Sequence, residues 1–248
     1  MPPKPSLRER AYPEARFGGF SRVDGTVAFY TRVRSLLTPE TRVLDVGCGR
    51  GKSQENALPF RRDLRDLRGL SGHVLGIDVD EAARDNPTLD AFRLIEDVDR
   101  WPVEDASADL VLSDYVLEHV GDPEAYLREL ARVLVPGGLF CARTPNRLGY
   151  VALVAQVVPN RHHAKVVGNV QESRESHDVF PTHYRMNTAR GVRRMLDAHG
   201  FDCEIVRHAG EPTYFTFSPV AYRLGAWLHR VLPGPLQNQF FVFARKRA

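Results

Sequence analysis

The sequence predicts an α/β protein with a mostly parallel β-sheet that is covered by helices on both faces. Short apolar segments of strand character alternate with segments of helical spacing along much of the 248 residues. A glycine-rich turn, residues 47–51, directly follows the first apolar segment. Hydrophobic residues make up 43% of the chain and charged residues 26%, which is typical of a globular domain with a sizeable core.

Predicted strands and helices alternate regularly up to residue 143. Residues 23–37 have helical spacing, and further helices are predicted at 52–68 and 122–134. The helix at 122–134 begins with Asp122 as N-cap and Pro123 in the first turn. Strands are predicted at 42–46, 73–78, 91–96, 109–113 and 139–143. Such alternation indicates right-handed crossovers in a parallel sheet, whose ligands bind beyond the carboxyl ends of the strands.

The rhythm breaks twice in the second part of the chain. A helix at 188–199, capped by Gly200, and strands at 201–207 and 239–244 are predicted around two irregular stretches. We therefore predict one domain at 23–248, with insertions at about 144–187, acting as a substrate cap, and at 212–235. Residues 1–22 are predicted to be a mobile segment and a candidate lid, because glycines adjoin aromatic residues there. The apolar insertions also suggest a homodimer contact.

Charge and cysteine content exclude several classes of protein. The net charge of +3 is too small to indicate nucleic-acid binding by itself. The three cysteines form no CxxC pair, so neither a disulfide framework nor a zinc site is expected. The first ten residues are polar and proline-rich, unlike a signal peptide, and the longest apolar run, near 151–158, is too short to span a bilayer. A cytoplasmic location is expected.

The turn at 47–51 allows two interpretations. Gly51-Lys52-Ser53 matches the end of a phosphate-binding P-loop, but the first glycine of that motif would have to stand at Val46. Asp45 would also place a negative charge beside a bound phosphate. The dinucleotide fingerprint fails as well, because the second glycine spacing is wrong.

An acidic residue followed by G-x-G-x-G resembles motif I of the class I S-adenosylmethionine-dependent methyltransferases. This cofactor carries an ammonium and a sulfonium group and no phosphate, so a carboxylate at the turn suits it. Further matches lie in register: Gly76-Ile77-Asp78, Asp97-Val98, and the series at 101–111, 116–120 and 134–138, which looks like the type 11 methyltransferase pattern. The resemblance is strong over 43–143 and loose from 188 onwards.

The resemblance implies a Rossmann-like fold with a seven-stranded sheet and an antiparallel last strand. It implies that S-adenosyl-L-methionine is the cofactor, with S-adenosyl-L-homocysteine as product. Asp78 would accept both ribose hydroxyls, Asp97 the adenine amine, and the Val98 N–H would donate to the ring. The predicted cofactor-binding residues are Asp45, Gly47, Cys48, Gly49, Asp78, Val79, Asp97, Val98 and Ser113.

His119 is the candidate catalytic base, since it lies just past the fourth strand on the cofactor side. The alternative is that Glu118 and His119 only fix the start of the next helix. In metal-assisted relatives an E-x-x-E-H set holds Mg²⁺, but Tyr115 occupies the first acidic position here, so no metal is expected. His162, His163, His177, His183 and Tyr184 lie in the first insertion and are weaker candidates for substrate contact.

The predicted function is transfer of a methyl group to a small or medium-sized acceptor, with oxygen favoured over nitrogen. Secondary metabolites and glycan- or lipid-linked precursors are the expected acceptor classes. Nucleic acid is disfavoured, because Ser113-Asp114-Tyr115-Val116 does not match the N/D-P-P-Y/F set of base-amine enzymes. Two alternatives remain: a nucleoside triphosphate-binding protein that uses Gly51-Lys52-Ser53, and a module that binds the cofactor without catalysis.

Overall fold

The protein is described from a computed structural model, which covers residues 5–149 and 181–248. The predictions for residues 150–180, including His162, His163 and His177, lie outside these ranges. Within them, no helix is long and apolar enough to cross a membrane.

A seven-stranded sheet forms the centre of the described structure. Its spatial order is β3-β2-β1-β4-β5-β7-β6. The first five strands pair in parallel, and β7 runs antiparallel to both β5 and β6. The fold predicted from the sequence is thereby confirmed. The strands are β1 (Arg42–Val46), β2 (His73–Asp78), β3 (Ala91–Leu94), β4 (Ala108–Asp114), β5 (Leu134–Pro145), β6 (Phe201–His208) and β7 (Gln239–Lys246).

Six α-helices are described in the same ranges. They are α1 (Leu7–Ala11), α2 (Gly25–Arg34), α3 (Pro59–Arg65), α4 (Pro123–Val133), α5 (Ala189–Ala198) and α6 (Pro219–Val231). The side chains of α4 and α5 join one apolar cluster, in which Leu130 and Leu196 are buried with Phe140. The side chains of α2 and α3 join a second cluster, which contains Phe29 and Leu64. Because strand residues belong to both clusters, both faces of the sheet are covered.

Three predicted elements need correction. The helix predicted at 52–68 is a short 3₁₀ turn, Lys52–Glu55, followed by α3, which begins only at Pro59. The strand predicted at 139–143 is longer, since β5 runs from Leu134 to Pro145, and its pairing with β4 shifts between Ala108 and Leu110. The stretch at 212–235 is not irregular throughout, since it contains the 13-residue helix α6, with Ser218 as N-cap and Pro219 in the first turn.

The N-terminal segment packs against α6. Tyr12 is only 1% exposed and lies in a cluster with Tyr222 and Ala226 of that helix. The Arg8 guanidinium also donates a hydrogen bond of 2.9 Å to Glu211, in the connection between β6 and α6. The closing of residues 1–22 over the site as a lid stays a prediction.

Candidate functional site

A cavity of about 660 Å³ opens at the carboxyl ends of the central parallel strands. Its wall contains five aspartates (Asp78, Asp80, Asp99, Asp114, Asp122) and three cationic residues (Arg50, Lys52, Arg65), apart from the histidines. Two more acidic than basic side chains therefore face the cavity. This balance favours a cationic ligand over a polyanion.

The glycine turn forms one wall of the cavity and leaves room for close approach of a ligand. Gly47 and Gly49 have φ values of +67° and +59°, which favour glycine. A Cβ atom at Gly47 would lie 2.6 Å from a methyl group of Val116, whereas one at Gly49 would meet nothing within 4 Å. Substitution at Gly47 is therefore doubly unfavourable, while the space beside Gly49 belongs to the cavity.

Asn86 holds the shape of this turn, and sequence reasoning missed it. Its side chain is buried, and its amide nitrogen donates bonds of 3.0 Å to the carbonyls of both Cys48 and Gly49. Its amide oxygen accepts hydrogen bonds from the backbone and hydroxyl of Thr88. The signal was only an Asn-Pro pair after β2, which by itself indicates a turn.

Asp78, at the end of β2, lies in the wall and is held firmly. One carboxylate oxygen accepts a 2.8 Å bond from the Gly49 N–H, and the other accepts a 2.9 Å bond from the Asp80 N–H. Each oxygen keeps acceptor capacity toward the cavity, because a carboxylate oxygen has two lone-pair directions. The predicted acceptor of ribose hydroxyls is thus oriented by the glycine turn.

The other predicted cofactor contacts divide into two groups. Gly47, Cys48, Gly49, Val79 and Val98 line the cavity. Asp97 is exposed next to Val98, and its carboxylate accepts a bond from the Asp99 N–H. Asp45, Asp97 and Ser113 are not part of the wall.

Ser113 lies behind the cavity wall, and its contact with the cofactor stays a prediction. Its side chain is fully buried, and its hydroxyl forms a 2.6 Å hydrogen bond with the hydroxyl of Tyr126. Tyr126 does line the cavity, and its ring packs edge-on against Trp101. Ser113 therefore acts behind the wall, by positioning Tyr126.

Asp114, in the cavity wall, and Asp45, which is not part of it, have pKa values shifted in opposite directions. Burial, with the nearby charges of Asp114 and Asp78, raises the pKa of Asp45 to about 8. Burial also opposes ionisation of Asp114, but the charges of Arg143 and Arg65 outweigh it and lower the pKa of Asp114. Asp114 is thus anionic at neutral pH, whereas Asp45 is largely protonated in the ligand-free domain.

Asp114 belongs to an ion-pair cluster that reaches the cavity wall. Its two carboxylate oxygens accept two 2.6 Å bonds from the guanidinium of Arg143, which is 2% exposed. The same guanidinium lies 4.7 Å from the ring centre of Tyr115, whose hydroxyl donates a 2.8 Å bond to Gln239. Sequence reasoning missed this cluster because its members come from β4, β5 and β7.

His119 also faces the cavity. Its Nδ1 atom lies 3.0 Å from the carbonyl oxygen of Pro181. The neighbouring Glu118 side chain is buried, accepts a 3.0 Å bond from the Thr144 hydroxyl, and has its pKa raised by burial. The Glu118 carbonyl accepts from the backbone N–H of His183, which brings a second imidazole to the wall.

The P-loop interpretation finds no support at this turn. A P-loop leads directly into the N-terminus of a helix, whose N–H groups bind phosphate. Here Gly51 leads into a four-residue 3₁₀ turn, and the next α-helix begins at Pro59. Lys52 does line the cavity, but Asp78 and Asp80 share its wall.

The residues present fit S-adenosylmethionine. The wall has an excess of carboxylates, a glycine turn without side chains and an oriented aspartate at the end of β2. Fold and site together define a class I S-adenosylmethionine-dependent methyltransferase domain. A family model described as a methyltransferase domain matches residues 19–206, about three quarters of the chain. The chain belongs to this family, and S-adenosyl-L-methionine is its cofactor, as predicted.

The relatives agree with this assignment. A probable S-adenosylmethionine-dependent methyltransferase of Mycolicibacterium smegmatis is 34% identical over 113 residues, which cover 44% of this chain and 39% of that protein. A ubiquinone biosynthesis O-methyltransferase of Maricaulis maris is 35% identical over 114 residues, which cover 43% and 41%. The chain thus spans about two fifths of the length of these curated relatives.

Solved structures show the same fold. A S-adenosylmethionine-dependent methyltransferase from Mesorhizobium loti has a TM-score of 0.53 and 20% identity, covering 88% of this chain and 98% of that one. A geranyl diphosphate C-methyltransferase from Streptomyces coelicolor, solved with Mg²⁺, geranyl diphosphate and S-adenosyl-L-homocysteine, has a TM-score of 0.54. It is 15% identical, and the match covers 90% of this chain and 76% of that one.

Proposed function

We propose that this domain transfers a methyl group from S-adenosylmethionine to a small or medium-sized acceptor, with oxygen as the favoured atom. The observation that carries the proposal is the continuity of the cavity. Its wall includes the glycine turn with Asp78 and also the imidazoles of His119 and His183. A cofactor and an acceptor can therefore share one continuous cavity.

On the cofactor side, the backbone of Gly47, Cys48 and Gly49 would hold the amino acid part of the ligand, and Asp78 would accept from the ribose. Asp97 and Val98 would read the adenine, and Asp45 would act from below the turn. When bound, S-adenosylmethionine supplies an electrophilic methyl carbon. The contribution of the protein is then mainly to hold the acceptor atom in line with that carbon, which is a large effect in itself.

On the acceptor side, His119 is the proposed base. If its Nδ1–H donates to the Pro181 carbonyl, the lone pair of the neutral imidazole is on Nε2. That atom can accept the proton of an acceptor hydroxyl as the oxygen is methylated. Glu118 supports this arrangement, since its side chain and carbonyl bind the segments at Thr144 and His183.

The acceptor classes we favour are secondary metabolites and glycan- or lipid-linked precursors. The matches to ubiquinone biosynthesis O-methyltransferases are compatible with O-methylation. Nucleic acid is not the proposed acceptor. No metal site is proposed either, and the described residues contain no group of three or more histidine, cysteine or acidic side chains that could hold one. A homodimer contact stays a proposal for the insertion at 144–187.

The test is transfer of a tritiated methyl group from S-adenosylmethionine to extracts of the source cells and to a panel of phenols, carboxylic acids and amines. We expect label in a low-molecular-mass product, bound through oxygen. Label in nucleic acid or protein would contradict the proposed acceptor. Tight cofactor binding in calorimetry without any labelled product would indicate a non-catalytic binding module instead.

A further inference from the structure

Helix α6 has apolar residues on two opposite faces. Its inward face, which includes Tyr222 and Ala226, is buried against α1 and the N-terminal segment. The opposite face consists of Val220, Leu224, Trp227 and Val231, which recur at helical spacing and are 74%, 60%, 56% and 53% exposed. Within residues 5–149 and 181–248, no side chain buries this face.

The connection that contains α6 lies at the same edge of the sheet as the cavity. The connection that contains α6 joins the end of β6 to the start of β7, where His208 pairs with Gln239. Gln239 also pairs with Pro145, at the carboxyl end of β5. Since β5 is parallel to β4 and β1, this edge of the sheet is the edge at which the cavity opens.

The charges on the helix itself are of one sign, although Glu14 of the N-terminal segment interacts electrostatically with Arg230. Residues 217–231 contain no Asp or Glu, whereas Arg223 and Arg230 lie side by side along one flank of the helix and are exposed. Phe217, 57% exposed, precedes the helix. Aromatic and aliphatic residues bordered by arginines are the composition of helices that lie in the interface of an anionic bilayer.

We propose that α6 is a membrane-contact helix, which inserts its exposed apolar face into the headgroup region of an anionic bilayer. Arg223 and Arg230 would contact lipid phosphates while Leu224 and Trp227 enter the acyl boundary. The cavity edge would then face the membrane. This inference does not depend on the nature of the acceptor.

A second copy of the chain is a less suitable occupant. A two-fold contact that packs the two helices antiparallel would place Arg223 and Arg230 of one copy beside the same residues of the other. The face has no acidic residue to compensate this repulsion. An anionic surface, in contrast, gains from both arginines.

The experiment measures binding to vesicles of phosphatidylcholine mixed with phosphatidylglycerol, with pure phosphatidylcholine vesicles for comparison. The chain has two tryptophans, and Trp101 is only 3% exposed, so the fluorescence response reports mainly Trp227. We expect a blue shift and quenching by brominated lipids with the mixed vesicles. Binding to pure phosphatidylcholine, or to mixed vesicles at high salt, should be several-fold weaker.

The decisive variant is Leu224→Ser, and the matched control is Leu36→Ser, because Leu36 is a partly exposed leucine after α2. Leu224→Ser should weaken vesicle binding about 10-fold and Leu36→Ser should not. Arg223→Gln should weaken binding to the anionic vesicles only. Thermal melts of all variants check that the fold is intact.

Three results would overturn the proposal. The first is absence of binding to the anionic vesicles by the unaltered protein. The second is equal binding by Leu224→Ser and Leu36→Ser. The third is protection of Trp227 from acrylamide quenching in the absence of vesicles, because the apolar face is then already covered. The cover would be a second copy if Leu224→Ser dissociates a dimer, and another part of the same chain if the protein is a monomer.

Discussion

At the residue scale, the candidate site depends on carboxylates that lie at the ends of strands. Neighbouring side chains and backbone groups set the orientation and the protonation of these carboxylates. Asp78 ends β2, 29 positions after Gly49, yet the Gly49 N–H donates to it directly. Asp114 ends β4 and is kept anionic by Arg143. Strands β2 and β4 thus contribute one acid each, and because both strands belong to the parallel part of the sheet, the two acids lie at the same edge.

Replacing Asp78 by Ala should weaken binding of S-adenosylhomocysteine by about 1–3 kcal/mol, because a ribose donor and the Gly49 N–H both lose their acceptor. Asp109→Ala is the matched control, since Asp109 lies near the opposite end of its strand and pairs with Arg42. Calorimetry at one pH measures both. Equal affinities for the two variants would remove Asp78 from the cofactor site.

Replacing His119 by Gln should lower turnover by roughly 10²-fold while cofactor affinity stays within a few-fold, if the imidazole removes a proton from the acceptor. Steady-state rates and calorimetry separate the two effects. His183→Gln is the control, since His183 is also on the cavity wall but bonds Glu118 through its backbone. Turnover close to normal in His119→Gln would leave His119 with a structural role only.

Much of the candidate site could be predicted from the sequence, and there is a physical reason why the rest could not. Gly47, Gly49 and Asp78 follow predicted strands at short spacing, so their proximity follows from a parallel sheet. The pairing of Asp114 with Arg143 depends on the register between β4 and β5, where the two residues are directly opposite. That register includes an irregularity near Ala108, which no spacing in the sequence indicates.

At the element scale, the glycine turn is a loop held from outside by two side chains: Asp78 accepts from its Gly49 N–H, and Asn86 donates to its carbonyls. In a helix-supported loop the backbone amides of the helix would give it shape, but the first α-helix after this turn begins only at Pro59. Asn86 takes over that task through its two bonds to the turn carbonyls. The loop after β2 therefore supports the turn of the candidate cofactor site.

Replacing Asn86 by Asp should weaken cofactor binding about 10-fold, because a carboxylate keeps the acceptor for Thr88 but cannot donate to the carbonyls of Cys48 and Gly49. Asn56→Asp is the control, since the described role of the Asn56 side chain is to accept a bond from the Leu58 N–H, which Asp can also do. Calorimetry and amide hydrogen exchange of residues 47–51 measure the effect. Unchanged exchange there would argue against Asn86 as the support.

The composition of each strand or helix explains whether its sequence pattern predicts it. The bounds of β1 and β2 agree with prediction because apolar residues end abruptly at a polar turn. Helix α6 was not predicted because its apolar residues are distributed over two faces, so that the one-sided periodicity of an amphipathic helix is missing. The helix predicted from Lys52 is interrupted before Pro59, a residue that suits only a helix start.

At the scale of the whole molecule, the partly buried acid Asp45 makes stability depend on pH. Its pKa is near 4 in the unfolded chain and about 8 in the ligand-free fold. The folded state thus retains a proton that the unfolded state has lost, and the contribution of Asp45 to stability falls as pH rises from about 4 to 8. Most carboxylates that pair with arginine, such as Asp109, contribute in the opposite sense.

Melting temperatures of the ligand-free protein between pH 5 and 9 should therefore decline, and Asp45→Asn should reduce that decline. Asp109→Asn is the control. The bond from Arg42 holds the pKa of Asp109 below its usual range, so its stabilising effect is complete throughout this window and is lost only in acid. That variant should lower the melting temperature by a similar amount at each pH. A slope that Asp45→Asn does not change would contradict the partly buried, protonated state of Asp45.

The position of β7 between β5 and β6 has a consequence for the order of folding. Among the described strands, β6 pairs with β7 alone, so it has no place in the sheet until residues 239–246 have been synthesised. Phe241, fully buried, also completes the cluster beneath α2. A nascent chain that is arrested before Gln239 should accordingly remain open to proteases and chaperones, although its glycine turn and first five strands have already left the ribosome.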